Sequence, residues 1–306
     1  MKLQTQVEIP QPLRRIGLHS RVAFIGSCFA QNIGLRMRQS GIPALVNPFG
    51  VLYNPVSILQ VMAQNPTLPS LYFEDGSGTW HCWLADSHFN ASTLEACQAA
   101  ILAARGRLFS WQPDTLVCTL GTTRHYRLRS GALVVGNCHK QPGTLFDEVD
   151  ASLAETATTL DAICQLFPEA QVVFTVSPYR YAKYGFHASQ LAKARLLLAV
   201  EQVRRQRPEQ VTYFPAYELV LDELRDYRFY DADMLHPSPV ALDYVWERFV
   251  AQWFDDEARR YFIDFEPIRK ALQHRPSDPD SAQAQALYEA TQQRLRDLMA
   301  KYNIEL

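Results

Sequence analysis

The chain of 306 residues is 47% hydrophobic and 20% charged, which is enough apolar material for a sizeable core and excludes a disordered polymer. Its net charge is −2 and no stretch gathers Lys and Arg into a block, which argues against nucleic acid or an anionic membrane surface as partner. Cysteines at 28, 82, 97, 118, 138 and 164 form no C-x-x-C pair. They read as buried apolar fillers in a reducing, cytoplasmic setting, and neither a metal nor a cofactor is expected.

The first residues, Met1 to Gln6, lack the apolar run of a secretory signal, and no segment approaches the roughly 20 apolar residues of a membrane span. Val22-Ala23-Phe24-Ile25 reads as a buried strand ended by Gly26. Cys28 to Gln39 follows in helical period, with Gly41 as its stop. Ala44-Leu45-Val46 is a second strand leading into Asn47-Pro48-Phe49-Gly50, after which Asn54 caps a helix with Pro55 at its first position. Leu71 to Leu84 alternates around Asp75-Gly76-Ser77-Gly78, a hairpin insertion.

Ser92-Thr93-Leu94-Glu95 reads as a capping box that opens a helix toward Ala104. Further strands are expected at 116–120, 172–176 and 211–214, and helices at 151–167, 189–205 and 244–254. Five short hydrophobic strands alternating with helices predict a flavodoxin-like three-layer α/β/α sandwich around a five-stranded parallel sheet. The expected division is a main domain over 1–254 and a C-terminal helical extension over 255–306, broken near 276–280. The amphipathic tail from Ser281 to Lys301 suits docking or a homodimer contact.

Open parallel sheets bind ligands at the carboxyl ends of their strands. Loops there carry Gly26-Ser27-Cys28, Asn47 to Gly50, Gly121 to Arg124, and Ser177-Pro178. Asp233-Met234-Leu235-His236 follows the last strand, and an Asp and a His three apart on a tight turn can face one site. The Asp then holds one imidazole nitrogen while the other takes a proton from a nucleophile.

These residues resemble the SGNH (GDSL) hydrolase superfamily and, within it, the GSCFA family, whose motif is Gly26-Ser27-Cys28-Phe29-Ala30. The resemblance spans about 20–254 and includes Asn47 to Gly50, Thr119 to Gly121, Asn137 to Lys140, Thr175 to Pro178 and Asp233 to Ser238. It implies hydrolysis or transfer of an acyl group carried by a small molecule or glycan as ester or thioester. The alternative is an inactive module that keeps the pocket for binding. Aligned without gaps, Cys28 takes the place of the superfamily's nucleophilic Ser, and a shifted register gives Ser27 instead. His236 falls on the base and Asp233 on its orienting partner. Gly50 and Thr123 fall on the oxyanion-hole positions, Thr123 replacing the usual Asn. Asn47, Arg124, His139 and Ser177 are the candidate substrate contacts. A helix N-terminus is expected to favour the Cys28 thiolate.

Overall fold

A computed structural model describes residues 5–131, 133–274, 278 and 281–304. The chain opens with β1 (Val22–Gly26), α1 (Cys28–Gln39), β2 (Ala44–Val46) and α2 (Pro55–Ala63). The hairpin β3 (Tyr72–Glu74) and β4 (Trp80–Cys82) follows, then α3 (Leu94–Trp111) and β5 (Thr115–Leu120). Three strands, β6 (Arg124–Leu128), β7 (Val134–Val135) and β8 (Phe146–Asp150), precede α4 (Leu153–Leu166) and β9 (Gln171–Val176). The chain continues through α5 (Phe186–Gln206), β10 (Val211–Tyr213) and the short α6 (Ala216–Glu218), which runs into a π-helical turn over Leu219–Leu224. Three helices end the described chain: α7 (Pro239–Trp253), α8 (Asp256–Gln273) and α9 (Ala282–Lys301).

The central sheet has the order β2-β1-β5-β9-β10 with every pairing parallel. This is the flavodoxin-like arrangement expected from the sequence. Every residue of β1, β5 and β9 is buried, because helices cover both faces. Alternate side chains of one strand serve different cores. Ala23 and Ile25 join Ile58, Leu108, Leu160 and Leu196 on the face covered by α2 to α5. Val22 and Phe24 join Ile33, Phe249 and Trp253 under α1 and α7. Burying a side chain such as Phe24 stabilises the fold by about 1.5–3 kcal/mol.

Helices α8 and α9 contribute Tyr261, Phe265, Leu298 and Met299 to that second core, and the Tyr261 hydroxyl donates to the carbonyl of Ser40. Leu287, expected on the apolar stripe of the tail, is 45% exposed. The break expected near 276–280 lies, apart from Asp278, outside the described residues.

Several boundaries differ from the sequence reading. Thr93, not Ser92, caps α3, its hydroxyl accepting from Ala96 N–H. Glu95 is therefore one position too early to close a box, and α3 runs on to Trp111. The reciprocal box is at Ser152 and Glu155, opening α4. Helix α7 begins at Pro239, five residues earlier than expected, because Ser238 caps it and a proline fits its first position. Strands β6 to β8 form an antiparallel sheet, order β7-β6-β8, that the sequence reading did not foresee.

Candidate active site

The site is built on the turn that ends β1. Gly26 has φ +129, and a Cβ there would lie 2.1 Å from the Thr119 carbonyl oxygen, so only glycine lets β1 run this close to β5. Ser27 donates its N–H to that same carbonyl at 3.1 Å and caps α1, its Oγ accepting from Phe29 N–H at 3.3 Å. Ser27 is 1% exposed, whereas Cys28, the first helical residue, is half-buried.

Two effects compete at the Cys28 sulfur. Burial pushes the thiol up, and this outweighs the backbone N–H groups of Cys28 and Phe29 and the charge of Lys193, which favour thiolate. The expectation of a helix-favoured thiolate is thus corrected. The dipole and its amides act in the expected direction, but removal from water is the larger effect.

The second half lies in the loop before α7. Asp233 accepts from the N–H of Leu235 at 2.8 Å, the N–H of His236 at 2.9 Å and His236 Nδ1 at 2.5 Å. These bonds, led by the His236 N–H, hold the Asp233 carboxyl down at about 2. Met234 between them takes φ +60, which the turn requires. Arg180 N–H donates to Leu235 O at 3.1 Å, and Arg180 Nη1 donates to Met234 O at 3.0 Å, docking this turn on the loop after β9. The Tyr179 ring lies 4.3 Å from the His236 ring. Tyr179 is also within electrostatic reach of both Asp233 and Cys28.

Each of the remaining candidates has partners within the fold. The Gly50 N–H donates to Asn47 O at 2.9 Å. Thr123 is fully buried; its hydroxyl donates to Asp150 at 2.6 Å and accepts from Arg195 at 3.3 Å. Its one proton is engaged by Asp150. Asn47 ties two elements together: Oδ1 accepts from Gly26 N–H at 2.9 Å and Nδ2 donates to Gln31 at 3.0 Å.

Arg124 donates to Glu148 at 2.7 Å and stacks over the Tyr184 ring at 4.7 Å. His139 is buried, its ring bonded to Cys82 O at 2.8 Å among Phe73, His81 and Trp83. Ser177 is fully buried and accepts from Tyr179 N–H at 3.3 Å. Each of the three is engaged inside the fold. Among the described residues no group of three His, Cys, Asp or Glu side chains could hold a metal ion.

Lys193 belongs to the site for a reason the sequence reading did not give. It is 2% exposed, with Nζ donating to Gly121 O and Ser177 O at 2.6 Å each. Burial pushes it down to about 7, opposed by the negative charge of an ionised Cys28. Its place was readable: Lys193, Leu196, Val200 and Val203 recur at helical spacing, and all four are buried. Tyr181 joins it, its ring 5.1 Å from Lys193 Nζ.

A recess of about 280 Å³ adjoins the site, walled in part by Tyr179, Arg180, Lys193, Tyr217 and Tyr230. A groove of about 750 Å³ between α1, α7 and α8 holds none of the candidate residues. All six cysteines are unpaired. Among the described residues no helix is long and apolar enough to cross a membrane.

The chain is similar in structure to an acetyl xylan esterase from the rumen bacterium Butyrivibrio proteoclasticus, at 12% identity and a TM-score of 0.41, over 76% of this chain and 63% of that one. It is likewise similar to a family two carbohydrate esterase from Clostridium thermocellum, solved in complex with cellohexaose, at 13% identity and a TM-score of 0.37, over 80% of this chain and 65% of that one. The chain thus spans just under two thirds of the length of either. No curated protein matches the chain. The profile of the GSCFA family matches residues 21–249, and that of the GSCFA domain protein, C-terminal domain, matches 265–305. With three quarters of its length under the first profile, the chain belongs to the GSCFA family.

Proposed function

We propose that the chain is an acyl-transfer enzyme that accepts an acyl group from an ester or thioester onto Cys28, with His236 as proton shuttle. The observation that carries this reading is the grip of Asp233 on His236. A carboxylate can only accept, so His236 Nδ1 carries the proton in that 2.5 Å bond, and the opposite nitrogen, Nε2, is left to exchange protons.

In the first step the Cys28 proton passes to His236 as sulfur attacks the acyl carbonyl. The bond from that carbon to the leaving oxygen or sulfur then breaks, and the leaving group takes the proton from His236. A thioester on Cys28 results, and water or an acceptor hydroxyl discharges it by the reverse sequence. Ser27 is the weaker nucleophile candidate, because its oxygen is occupied as the helix cap and has little exposure. The aromatic and cationic walls of the adjoining recess suit a sugar-like or anionic part of the substrate.

A second reading, a pocket that binds an acylated or sugar ligand without turnover, draws on one observation. Burial holds Cys28 as the thiol. Intact-protein mass spectrometry with peptide mapping separates the two, using limiting iodoacetamide and, in parallel, p-nitrophenyl acetate. The acyl-transfer reading expects both adducts at Cys28 and their suppression in His236→Ala. Cys28 reacting no faster than the other five cysteines would sink it and favour the binding module.

A further inference from the structure

The attack just described puts negative charge on the former carbonyl oxygen, and two of the groups first considered to receive it, Gly50 and Thr123, are occupied. Gly50 N–H goes to Asn47 O, and the Thr123 hydroxyl goes to Asp150. The N–H groups of Gly121 and Thr122 both go to Tyr53 O, at 2.7 and 3.1 Å. A further side-chain donor nearby is unspent. The Tyr181 hydroxyl is buried and finds no hydrogen-bond partner among the described residues. A buried hydroxyl without a partner is destabilising, and such groups in folded proteins call for a reason.

Its position supplies one. The hydroxyl oxygen lies 2.3 Å from where a Cβ on Gly121 would be, so it rests against the backbone just after β5, on the strand beside β1. Cys28 is within electrostatic reach of it, as is Tyr53. Any side chain at 121 would push the ring away, so the glycine keeps this place open for the tyrosine. The ring is held by Tyr179 and Tyr53 edge-on, at 4.7 and 6.5 Å, and by Lys193 over its face.

We propose that the Tyr181 hydroxyl is the side-chain donor to the oxyanion formed when Cys28 attacks, in the role left open by the absence of an Asn at position 123. As the S–C bond forms, the carbonyl π pair moves onto oxygen, and Tyr181 donates a hydrogen bond to it while keeping its own proton. When the tetrahedral adduct collapses, that pair returns and the leaving group departs with the proton from His236. Burial among other tyrosines keeps the Tyr181 proton in place at any working pH.

The inference rests on the acyl-transfer reading, and Tyr181→Phe in the full chain tests it separately. Two rates are measured at Cys28: acetylation by p-nitrophenyl acetate, which passes through an oxyanion, and alkylation by iodoacetamide, which does not. Acetylation is expected to fall about 10²–10³-fold with alkylation unchanged. Thermal stability should hold or rise, since the variant deletes only an unpartnered oxygen. Acetylation unchanged would overturn the proposal and leave the acyl-transfer reading standing. Both rates falling together would show that Tyr181 supports Cys28 itself, and would equally overturn it. A parent protein that is not acetylated at Cys28 would remove the acyl-transfer reading and this inference with it.

Discussion

Asn47 Oδ1 accepts the Gly26 N–H at 2.9 Å, which ties the loop after β2 to the turn that presents Cys28. The bond is buried, so Asn47→Ala leaves the Gly26 N–H without a partner. The change is expected to cost about 1–3 kcal/mol, seen as a lower midpoint in urea unfolding. Asn47 also sits at φ +40, a conformation that Asn tolerates better than Ala. Asn47→Asp keeps the accepting oxygen and should lose less. Equal losses in the two variants would mean that the bond is not what stabilises the turn.

Thr123→Val separates structure from catalysis at a second position. The hydroxyl joins Asp150 to Arg195, so its removal is expected to lower stability by about 1–3 kcal/mol. In the folded variant the ratio of Cys28 acetylation to alkylation should stay at the parent value. A selective drop in acetylation would return Thr123 to the oxyanion.

The grip of Asp233 on His236 has a pH signature. A carboxyl held at about 2 stabilises the folded turn above its ordinary value near 3.9, and that contribution fades as pH falls toward 2. Thermal unfolding of Asp233→Asn should therefore differ most from the parent above about pH 5 and converge with it near pH 2. In the same variant Cys28 acetylation near neutral pH should drop by about 10²–10⁴-fold, because the amide no longer fixes the imidazole tautomer. A variant that acetylates normally would show that His236 does not need this partner.

Lys193 gives a prediction about the thiol. Its charge favours the Cys28 thiolate, so Lys193→Met should slow iodoacetamide alkylation and move its pH profile upward. Lys193 itself loses its proton near pH 7, so the gap between parent and variant should be widest on the acid side and shrink above that pH. Superimposable profiles would show that the ammonium does not act on Cys28.

The sequence carried the sheet plainly, because β1, β5 and β9 are buried on both faces and read as mostly apolar runs bounded by Gly26, Gly121 and Ser177. The Asp233–His236 turn was equally readable, since spacing alone brings a three-apart pair together. Strands β6 and β8 escaped notice because charge, not apolar alternation, marks them. Their cross-strand pairs, such as Arg124 with Glu148, show only after folding joins residues far apart in the chain. The destinations of Asn47 and Thr123 were hidden for a related reason. A polar side chain in a loop satisfies whichever buried partner the fold brings to it, and spacing does not encode that partner. Lys193 went unnamed in the sequence because a lysine's charge argues for solvent, whereas its place on the apolar stripe of α5 buries it.

Burial of Cys28 also bears on how the protein withstands oxidants. Peroxide attacks thiolates far faster than thiols, and it attacks exposed sulfur faster than sheltered sulfur. A sulfur kept protonated at the mouth of α1 is therefore a slow target for conversion to sulfenic acid while the site stands empty. On the acyl-transfer reading, the resting protein is thus spared much of the self-inactivation that threatens enzymes with a standing thiolate.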